Sequence, residues 1–283
     1  MKELVLGTAN FGSNYGHFDS HKIDEIEIER MLAWASGKIT ELDTALDYPG
    51  SHQSIAMKAQ DFKITTKLNL KKVTDEEDLL RAIRDIRASL KTCTIQRLLV
   101  RPSNEKTELV EGCLSILNEL HEEGVIESIG ASIYEISELK QLQEMNMRID
   151  VLQVPANLAN REFDDLVKSG NLELNQYKTY VRSIFLQGIL LKSIDDLPRK
   201  MSGLHKLILT INDEAKKLGA KPVEVCMAYA KQIQWATGII IGARNLVDLQ
   251  DLYNTFCDNL TLSERFLETL PRVVNSLYDP RYW

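Results

Sequence analysis

The stretch Glu3-Leu4-Val5-Leu6-Gly7, followed by Thr8, decides the fold of this chain, because it is a short apolar run that ends on a polar side chain. The same pattern returns along the sequence, and most β-like runs end on a polar or charged residue. A barrel of parallel strands carries its chemistry on the rim formed by the carboxyl ends of the strands, which is what this pattern predicts. The strands are predicted near Glu3–Gly7, Glu41–Asp43, Lys63–Lys67, Arg97–Val100, Ser128–Ala131, Val151–Val154, Thr179–Ser183 and Gly238–Ile241.

Helical patterns separate most of these runs. Thr74 and Glu77 have the spacing of a capping box and predict a helix over Thr74–Leu90. Two further apolar stripes are predicted to end at the cap glycines Gly124 and Gly219. Strands that alternate with helices predict right-handed crossovers and a parallel sheet. An open doubly wound sheet is the alternative, but it would need a GxGxxG fingerprint, which the sequence lacks.

We therefore predict the α/β class and a single (β/α)8 TIM barrel, with residues 1–283 forming one domain. Ser263–Leu277 predicts one more amphipathic helix, so that a C-terminal helix and tail occupy about residues 258–283. Lys192–Gly203 follows the seventh strand and is the best candidate for a mobile loop on the functional rim.

Composition excludes several classes of function. The formal charge is −7 and the pI is near 5.4, which argues against a general nucleic-acid binder. No apolar stretch approaches the roughly 20 residues of a membrane helix, and the N-terminus lacks the features of a signal peptide. The four cysteines are far apart, and no cluster has metal-ligand spacing. We expect a cytoplasmic protein without metal, nucleic-acid or membrane partners, as a monomer or weak homodimer.

Asp43, Tyr48 and Lys67 are the candidates for chemistry. Asp43 and Lys67 end neighbouring predicted strands and Tyr48 follows Asp43 closely, while adjacent strands lie about 4.8 Å apart, so the three side chains can meet. A Lys beside a Tyr favours the phenolate, and an Asp keeps the Lys charged. Such a Tyr can protonate a carbonyl oxygen as hydride reaches the carbon. The alternative is a structural Asp–Lys ion pair beside an unrelated Tyr.

Several motifs together resemble the aldo-keto reductases, and the resemblance spans nearly the whole chain in the right order. The segment VRSIFLQGILL and the terminal DPRYW are similar to a bacterial branch associated with polysaccharide and sugar biosynthesis. The other motifs that carry the resemblance are GTANFG (Gly7–Gly12), Asp43-Thr44-Ala45-x-x-Tyr48, Thr66-Lys67-Leu68, EEGVIESIGAS (Glu122–Ser132), DVLQVPANLANR (Asp150–Arg161) and IIIGARNLVDL (Ile239–Leu249).

The resemblance implies a barrel that binds NADPH, or less often NADH, and reduces an aldehyde or ketone. Asp43, Tyr48 and Lys67 match three members of the family's catalytic set. Ser132 and Gln153 would hold the nicotinamide amide, and Phe185 would lie under its ring. The adenosine phosphate would face Gly242, Ala243, Arg244 and Asn245, with Asp248 and Asp251 towards the adenine. Gly7, Thr8, Arg182 and Ser183, at the ends of the first and seventh strands, complete the expected cofactor set.

Arg101 departs from the resemblance, because the family has a His in this position. An Arg is a permanent cation with a fork of donors and can stabilise an oxyanion. Arg101 and Lys67 are predicted to be neighbouring cations, and Asp43 can neutralise only one of them. We therefore expect the charge of Arg101 to be free for an anionic substrate. The opposing interpretation is that Arg101 folds away onto a nearby carboxylate and does nothing in catalysis. Further departures are the loop YPGSHQ, Ile133 and Leu252.

Three functions follow from these observations. The first is an NADPH-dependent reductase of a carbonyl group in a sugar-like, nucleotide-sugar or anionic small molecule. The second is an enzyme of the same fold in which Arg101 redirects the chemistry to C=C reduction or to a redox-cycled elimination. The third is a non-catalytic barrel that binds NADPH. Retention of the Asp43, Tyr48 and Lys67 set argues against the third.

Overall fold

Eight parallel strands close into a barrel in sequence order, as predicted, and the last strand pairs with the first. The structure, a computed structural model, describes residues 2–12, 23–102 and 108–283. The strands are β1 (Glu3–Gly7), β2 (Glu41–Asp43), β3 (Lys63–Asn69), β4 (Arg97–Arg101), β5 (Ile129–Ser132), β6 (Val151–Pro155), β7 (Lys178–Arg182) and β8 (Gly238–Gly242).

Strand bounds differ from the prediction by one or two residues at several ends. The prediction extended β7 through Ser183, but the strand stops at Arg182. Ser183 has a φ of 58°, in the left-handed region, so an extended strand cannot continue through it. A turn therefore follows β7 directly, in which the backbone N–H of Leu186 donates to the Ser183 carbonyl at 2.8 Å.

Helices surround the barrel and follow most strands. In the described part of the chain they are α1 (Glu25–Ala35), α2 (Ser51–Ala56), α3 (Glu76–Leu90), α4 (Glu108–Glu122), α5 (Ile136–Glu144), α6 (Glu162–Lys168), α7 (His205–Leu218), α8 (Pro222–Gln232), α9 (Leu246–Cys257), α10 (Glu264–Thr269) and α11 (Asn275–Tyr278). None of the helices in those ranges has the length and apolar character that crossing a membrane requires.

The predicted capping box at the start of α3 is wrong. The helix begins one residue later than the box requires, so Asp75 is the N-cap, and its carboxylate accepts from the backbone N–H of Asp78 at 2.7 Å. Asp78 accepts in return from the backbone N–H of Thr74 at 3.2 Å. Glu77 falls on the second helical position and cannot reach back as the third would.

The single helix predicted over Ser263–Leu277 is also wrong, because α10 and α11 are two short helices separated by Pro271. The residue before a proline is pushed out of the α region, and Leu270 accordingly has an extended ψ of 130°. The prediction for the end of α7 is confirmed: Gly219 caps it with a φ of 63°.

Side chains fill the interior of the barrel, so the rim is the place where a ligand can enter. Val5, Leu99, Val151, Tyr180 and Ile240 form an interior cluster separate from the larger core between strands and helices. Below that cluster, Arg97 donates to Glu41 at 2.7 Å, and the Tyr180 hydroxyl donates to Glu3 at 2.6 Å. These paired polar groups close the amino-terminal end of the barrel.

Candidate active site

The carboxyl ends of the strands open into a cavity of about 770 Å³ that extends from the barrel mouth to α8 and α9. Asp43 and Tyr48 line its inner part. Most of the predicted cofactor residues line it as well, namely Gly7, Gln153, Arg182, Ser183, Phe185, Gly242, Arg244, Asp248 and Asp251. Residues from five strand ends or the loops behind them therefore meet at one rim, as the sequence predicted.

Asp43, at the end of β2, and Lys67, two residues before the end of β3, form a buried ion pair. The Lys67 Nζ donates to the Asp43 carboxylate at 2.6 Å and to the Thr44 carbonyl at 3.0 Å. Burial lowers the pKa of Lys67 from 10.5 to about 8; Asp43 opposes this shift, and Arg101 and Arg182 add to it. Lys67 thus loses its proton more readily than a surface lysine.

Tyr48 lies in the loop after β2, between the side chains of two cations. The Lys67 Nζ and the Arg101 guanidinium each lie 5.5 Å from the centre of its ring. The loop is held against the chain that follows β1: a Cβ at Gly12 would meet the Pro49 carbonyl oxygen at 1.6 Å, so only glycine permits this approach. Tyr48 is therefore fixed with its face to two positive charges.

The carboxylate partner of Arg101 is Asp47, which was not among the predicted site residues. The Arg101 Nη1 donates to both oxygens of Asp47 at 2.9 and 2.7 Å, and its Nη2 donates to the Tyr48 hydroxyl oxygen at 3.3 Å. The expectation of a charge free for an anionic substrate is therefore wrong, because Asp47 compensates it. The opposing interpretation is confirmed in so far as Arg101 folds onto a nearby carboxylate, but Arg101 contacts Tyr48 as well.

Gln153 and Ser132 hold Asp43 from the other side. The Gln153 Nε2 donates to Asp43 at 2.7 Å, and the Ser132 hydroxyl donates to the Gln153 carbonyl at 3.1 Å. Ser132 pairs with Gln153 in the register of β5 and β6, which places it behind the amide rather than on the cavity wall. One Asp43 oxygen therefore bonds Gln153 and the other bonds Lys67.

Two more predicted cofactor residues, besides Ser132, do not line the cavity. Thr8 is fully buried, and its hydroxyl donates to the Asp43 carbonyl at 3.1 Å. Asn245 caps α9, where its side chain accepts from the backbone N–H of Asp248 at 2.8 Å. Both residues shape elements that line the cavity instead.

Arg182, at the end of β7, joins the rim to the C-terminal tail. Its guanidinium stacks at 4.1 Å on the ring of Tyr134 and donates to the Ile133 carbonyl at 3.0 Å. Arg281 of the tail stacks on the same ring at 4.3 Å and pairs with Asp279. The tail is thereby anchored beside the cavity.

The loop after β7 carries unusual backbone conformations where it lines the cavity. Ser183, Leu186 and Gln187 have φ values of 58°, 50° and 53°. Such conformations are uncommon in residues other than glycine and cluster at functional sites. The loop continues to Lys192, which also lines the cavity, and the chain beyond forms a 3-10 turn over Arg199–Leu204.

The cavity contains acceptors that suit a polar ligand. Among the described residues, the side-chain oxygens of Asn10 and Gln187 are buried without a hydrogen-bond partner, and both residues line the cavity. An unsatisfied buried acceptor costs free energy unless a ligand or solvent donor fills it. A nicotinamide dinucleotide offers amide, amino and hydroxyl donors, and its ring could lie on half-buried Phe185, so these residues fit that group.

Some lining residues could not be found by looking at strand ends. Lys221 and Glu224 belong to the start of α8, a second helix between β7 and β8. Asp47 directly precedes Tyr48 in the sequence, but the sequence does not indicate that it pairs with Arg101. His52 of α2 is buried against α3 and β3, where its ring nitrogens contact the hydroxyls of Ser89 and Thr66 at 2.9 Å each.

Comparison with known proteins gives the family and the enzyme class of this chain. The sequence model of the Aldo/keto reductase family matches residues 3–274, so the chain belongs to this family. Its members are oxidoreductases that use nicotinamide cofactors, and we assign the chain to that class. None of the curated proteins compared with the chain matches it.

Solved structures share the fold at low sequence identity. A thermostable aldo-keto reductase, Tm1743, in complex with the inhibitor epalrestat has a TM-score of 0.70 and 22% identity, covering 94% of this chain and 93% of its own. MGS-M4, an aldo-keto reductase from a Medee basin deep-sea metagenome, has a TM-score of 0.67 and 17% identity, and the match covers 95% of this chain and 90% of MGS-M4. The putative aldo-keto reductase PA4992 of Pseudomonas aeruginosa has a TM-score of 0.64 and 20% identity, and the match covers 89% of this chain and 88% of PA4992.

Proposed function

We propose that this chain reduces the carbonyl group of a sugar-like small molecule with NAD(P)H, and that Tyr48 is the proton donor. The observation that carries the proposal is the position of Tyr48, which lines the cavity while its hydroxyl oxygen accepts from Arg101 at 3.3 Å. We include in the proposal the cytoplasmic location and the monomer or weak homodimer that the sequence predicted.

A bound nicotinamide cofactor would supply hydride to the carbonyl carbon. Gln153, Ser183, Phe185 and Gly242 would hold it along the cavity wall. The Tyr48 hydroxyl donates its proton to the carbonyl oxygen, which leaves a phenolate. Lys67 and Arg101 favour that phenolate because each places a positive charge against the ring.

Arg101 takes the place of the family's His in this proposal. A guanidinium stays charged through the reaction and donates hydrogen bonds without losing its proton. Its Nη2 therefore stabilises negative charge on the Tyr48 oxygen, while Asp47 keeps the guanidinium in place. The arrangement leaves proton donation to Tyr48 alone.

The charges at the mouth favour a neutral substrate over an anionic one. Lys67 is paired with Asp43 and Arg101 with Asp47. Because each of these two cations has its own carboxylate, a substrate anion that bound either of them would compete with a protein anion. A neutral polyhydroxy aldehyde or ketone, including the sugar part of a nucleotide sugar, meets no such competition.

The experiment that tests the proposal follows oxidation of NADH and of NADPH in the presence of glyceraldehyde, erythrose and their phosphorylated counterparts. Turnover with the neutral aldehydes, at lower KM than with the phosphorylated ones, is the expected result. Glycerol and erythritol, which lack the carbonyl, serve as matched controls. Cofactor binding without turnover on any carbonyl compound would favour the non-catalytic barrel and contradict the proposal.

A further inference from the structure

We infer that the outer end of the cavity, formed by α8, α9 and the turn before α9, selects NADH over NADPH; this rests on the proposed function. The two cofactors differ by one phosphate on the adenosine ribose. That phosphate carries a charge of about −1.5 to −2 at neutral pH and has strong acceptor oxygens. A site that accommodates it needs unpaired donors and positive charge.

The basic residue expected to bind this phosphate already has an anionic partner. The Arg244 Nε donates to the Asp248 carboxylate at 2.8 Å, one helical turn along the chain. The pair lines the cavity, and the Arg244 side chain is 67% exposed, so it faces solvent. A ribose phosphate would have to displace or share the Asp248 carboxylate at short range.

The N-terminus of α9 is likewise filled by the protein's own groups. A helix N-terminus ordinarily offers free N–H donors to a phosphate. Here the backbone N–H of Leu246 donates to the carboxylate of Glu27 at 2.6 Å, and that of Asp248 donates to the side chain of Asn245 at 2.8 Å. Glu27 comes from α1, where it also accepts from Arg30 at 3.0 Å, and its carboxylate occupies the N–H that an anion would otherwise bind.

The remaining walls add more carboxylates than cations. Asp248, Asp251 and Thr255 follow one another at helical spacing along the face of α9 that lines the cavity, and Asp258 lines it just beyond the helix. Glu224 and Lys221 contribute from the start of α8. Carboxylates accept hydrogen bonds from ribose hydroxyls and repel a phosphate, so this end of the cavity favours the unphosphorylated ribose.

The test is a titration of the purified protein with NADH and with NADPH, followed by nicotinamide fluorescence and without any substrate. We expect NADH to bind at least about tenfold more tightly, the factor that about 1.4 kcal/mol represents. Asp248→Asn removes one carboxylate and releases Arg244, so NADPH should bind more tightly to this variant while NADH changes little. Asp213→Asn, an exposed carboxylate on α7 away from the cavity, is the matched control and should behave like the wild type.

The outcomes separate this inference from the proposed function. Equal or tighter binding of NADPH by the wild type overturns the inference and leaves the proposed reductase intact. The inference also fails if Asp248→Asn leaves the ratio of the two dissociation constants unchanged. Failure of both cofactors to bind would overturn the proposed function, and the inference with it.

Discussion

The Nη1 of Arg101 lies 2.9 and 2.7 Å from the two carboxylate oxygens of Asp47, while its Nη2 lies 3.3 Å from the Tyr48 hydroxyl oxygen. One guanidinium thus links the end of β4 to the loop after β2. Lys72 adds a weaker contact to the same carboxylate at 3.7 Å. The pairing gives Arg101 two roles, since it positions the loop and places a cation at the proton donor.

Removing the carboxylate should change which substrates the site prefers. In Asp47→Asn the charge of Arg101 loses its compensation, so KM for phosphorylated aldehydes should fall relative to KM for neutral ones. A charge-assisted contact of about 1.5–3 kcal/mol corresponds to a change of roughly 10- to 150-fold. Asp61→Asn, an exposed carboxylate elsewhere, should leave the ratio unchanged. An unaltered ratio in Asp47→Asn would show that Arg101 does not face the substrate.

Replacing Arg101 itself tests its contact with Tyr48. Arg101→Met removes the donor and the charge but keeps an unbranched side chain, so turnover with a neutral aldehyde should fall by about 10-fold or more, as loss of a charged hydrogen bond predicts. Arg101→His should recover part of that loss, because an imidazole can donate to the same region. Equal turnover in wild type and Arg101→Met would mean that the Arg101–Tyr48 contact plays no part in catalysis.

The pKa of Lys67 predicts a descending limb in the pH profile of kcat/KM. Burial lowers this pKa to about 8, so the positive charge beside Tyr48 is lost as the pH rises through about 8, and the rate of reduction should fall there. Asp43 raises the pKa of Lys67, so in Asp43→Asn the limb should move to lower pH. Asp85→Asn on α3 is the control. A limb that stays in place in Asp43→Asn would contradict the assignment to Lys67.

His52 predicts how stability depends on pH. Burial, with a smaller effect of Lys67, lowers the pKa of His52 from 6.5 to about 4, because the ring is enclosed by α2, α3 and β3. Between these two pH values His52 binds a proton in the unfolded chain but not in the folded chain. The contribution of His52 to the free energy of unfolding is therefore fully present above about pH 6.5 and is lost as the pH falls towards 4. By linkage the loss is about 3 kcal/mol.

The measurement is the free energy of unfolding in urea, at neutral pH and near pH 4, which is about the pKa of His52 in the folded protein. His52→Gln keeps a side chain that can hydrogen-bond Ser89 or Thr66 but cannot take up the proton, so the difference in unfolding free energy between the two pH values should shrink. His205→Gln at the start of α7 should retain the full difference. If both variants lose stability equally on acidification, His52 is not the cause.

Much of the fold could be predicted because the strand signal is local. Apolar runs that end at Asp43 or Arg101 identify both a strand and its functional end. The errors have local causes as well, such as the left-handed Ser183 that shortens β7. A conformation of that kind is imposed by the loop around it, so residue type does not reveal it.

The candidate site was less predictable than the fold because partners depend on geometry across strands. Asp43 and Lys67 could be paired in advance, since two adjacent predicted strands end at these residues. The partnership of Arg101 with Asp47 could not, because β4 and the loop after β2 are separated by β3. The contributions of Lys221 and Glu224 depend on α8, whose placement beside the mouth no strand pattern indicates.

The measurement that tests the central claim most directly is the single-turnover rate of reduction in Tyr48→Phe, with cofactor affinity measured on the same protein. The variant keeps the ring that Lys67 and Arg101 face and removes only the hydroxyl. We predict that the rate falls by about 10²-fold or more, as expected for loss of a general acid, while the dissociation constant of the cofactor stays nearly the same. A rate equal to that of the wild type on a neutral aldehyde would contradict the account.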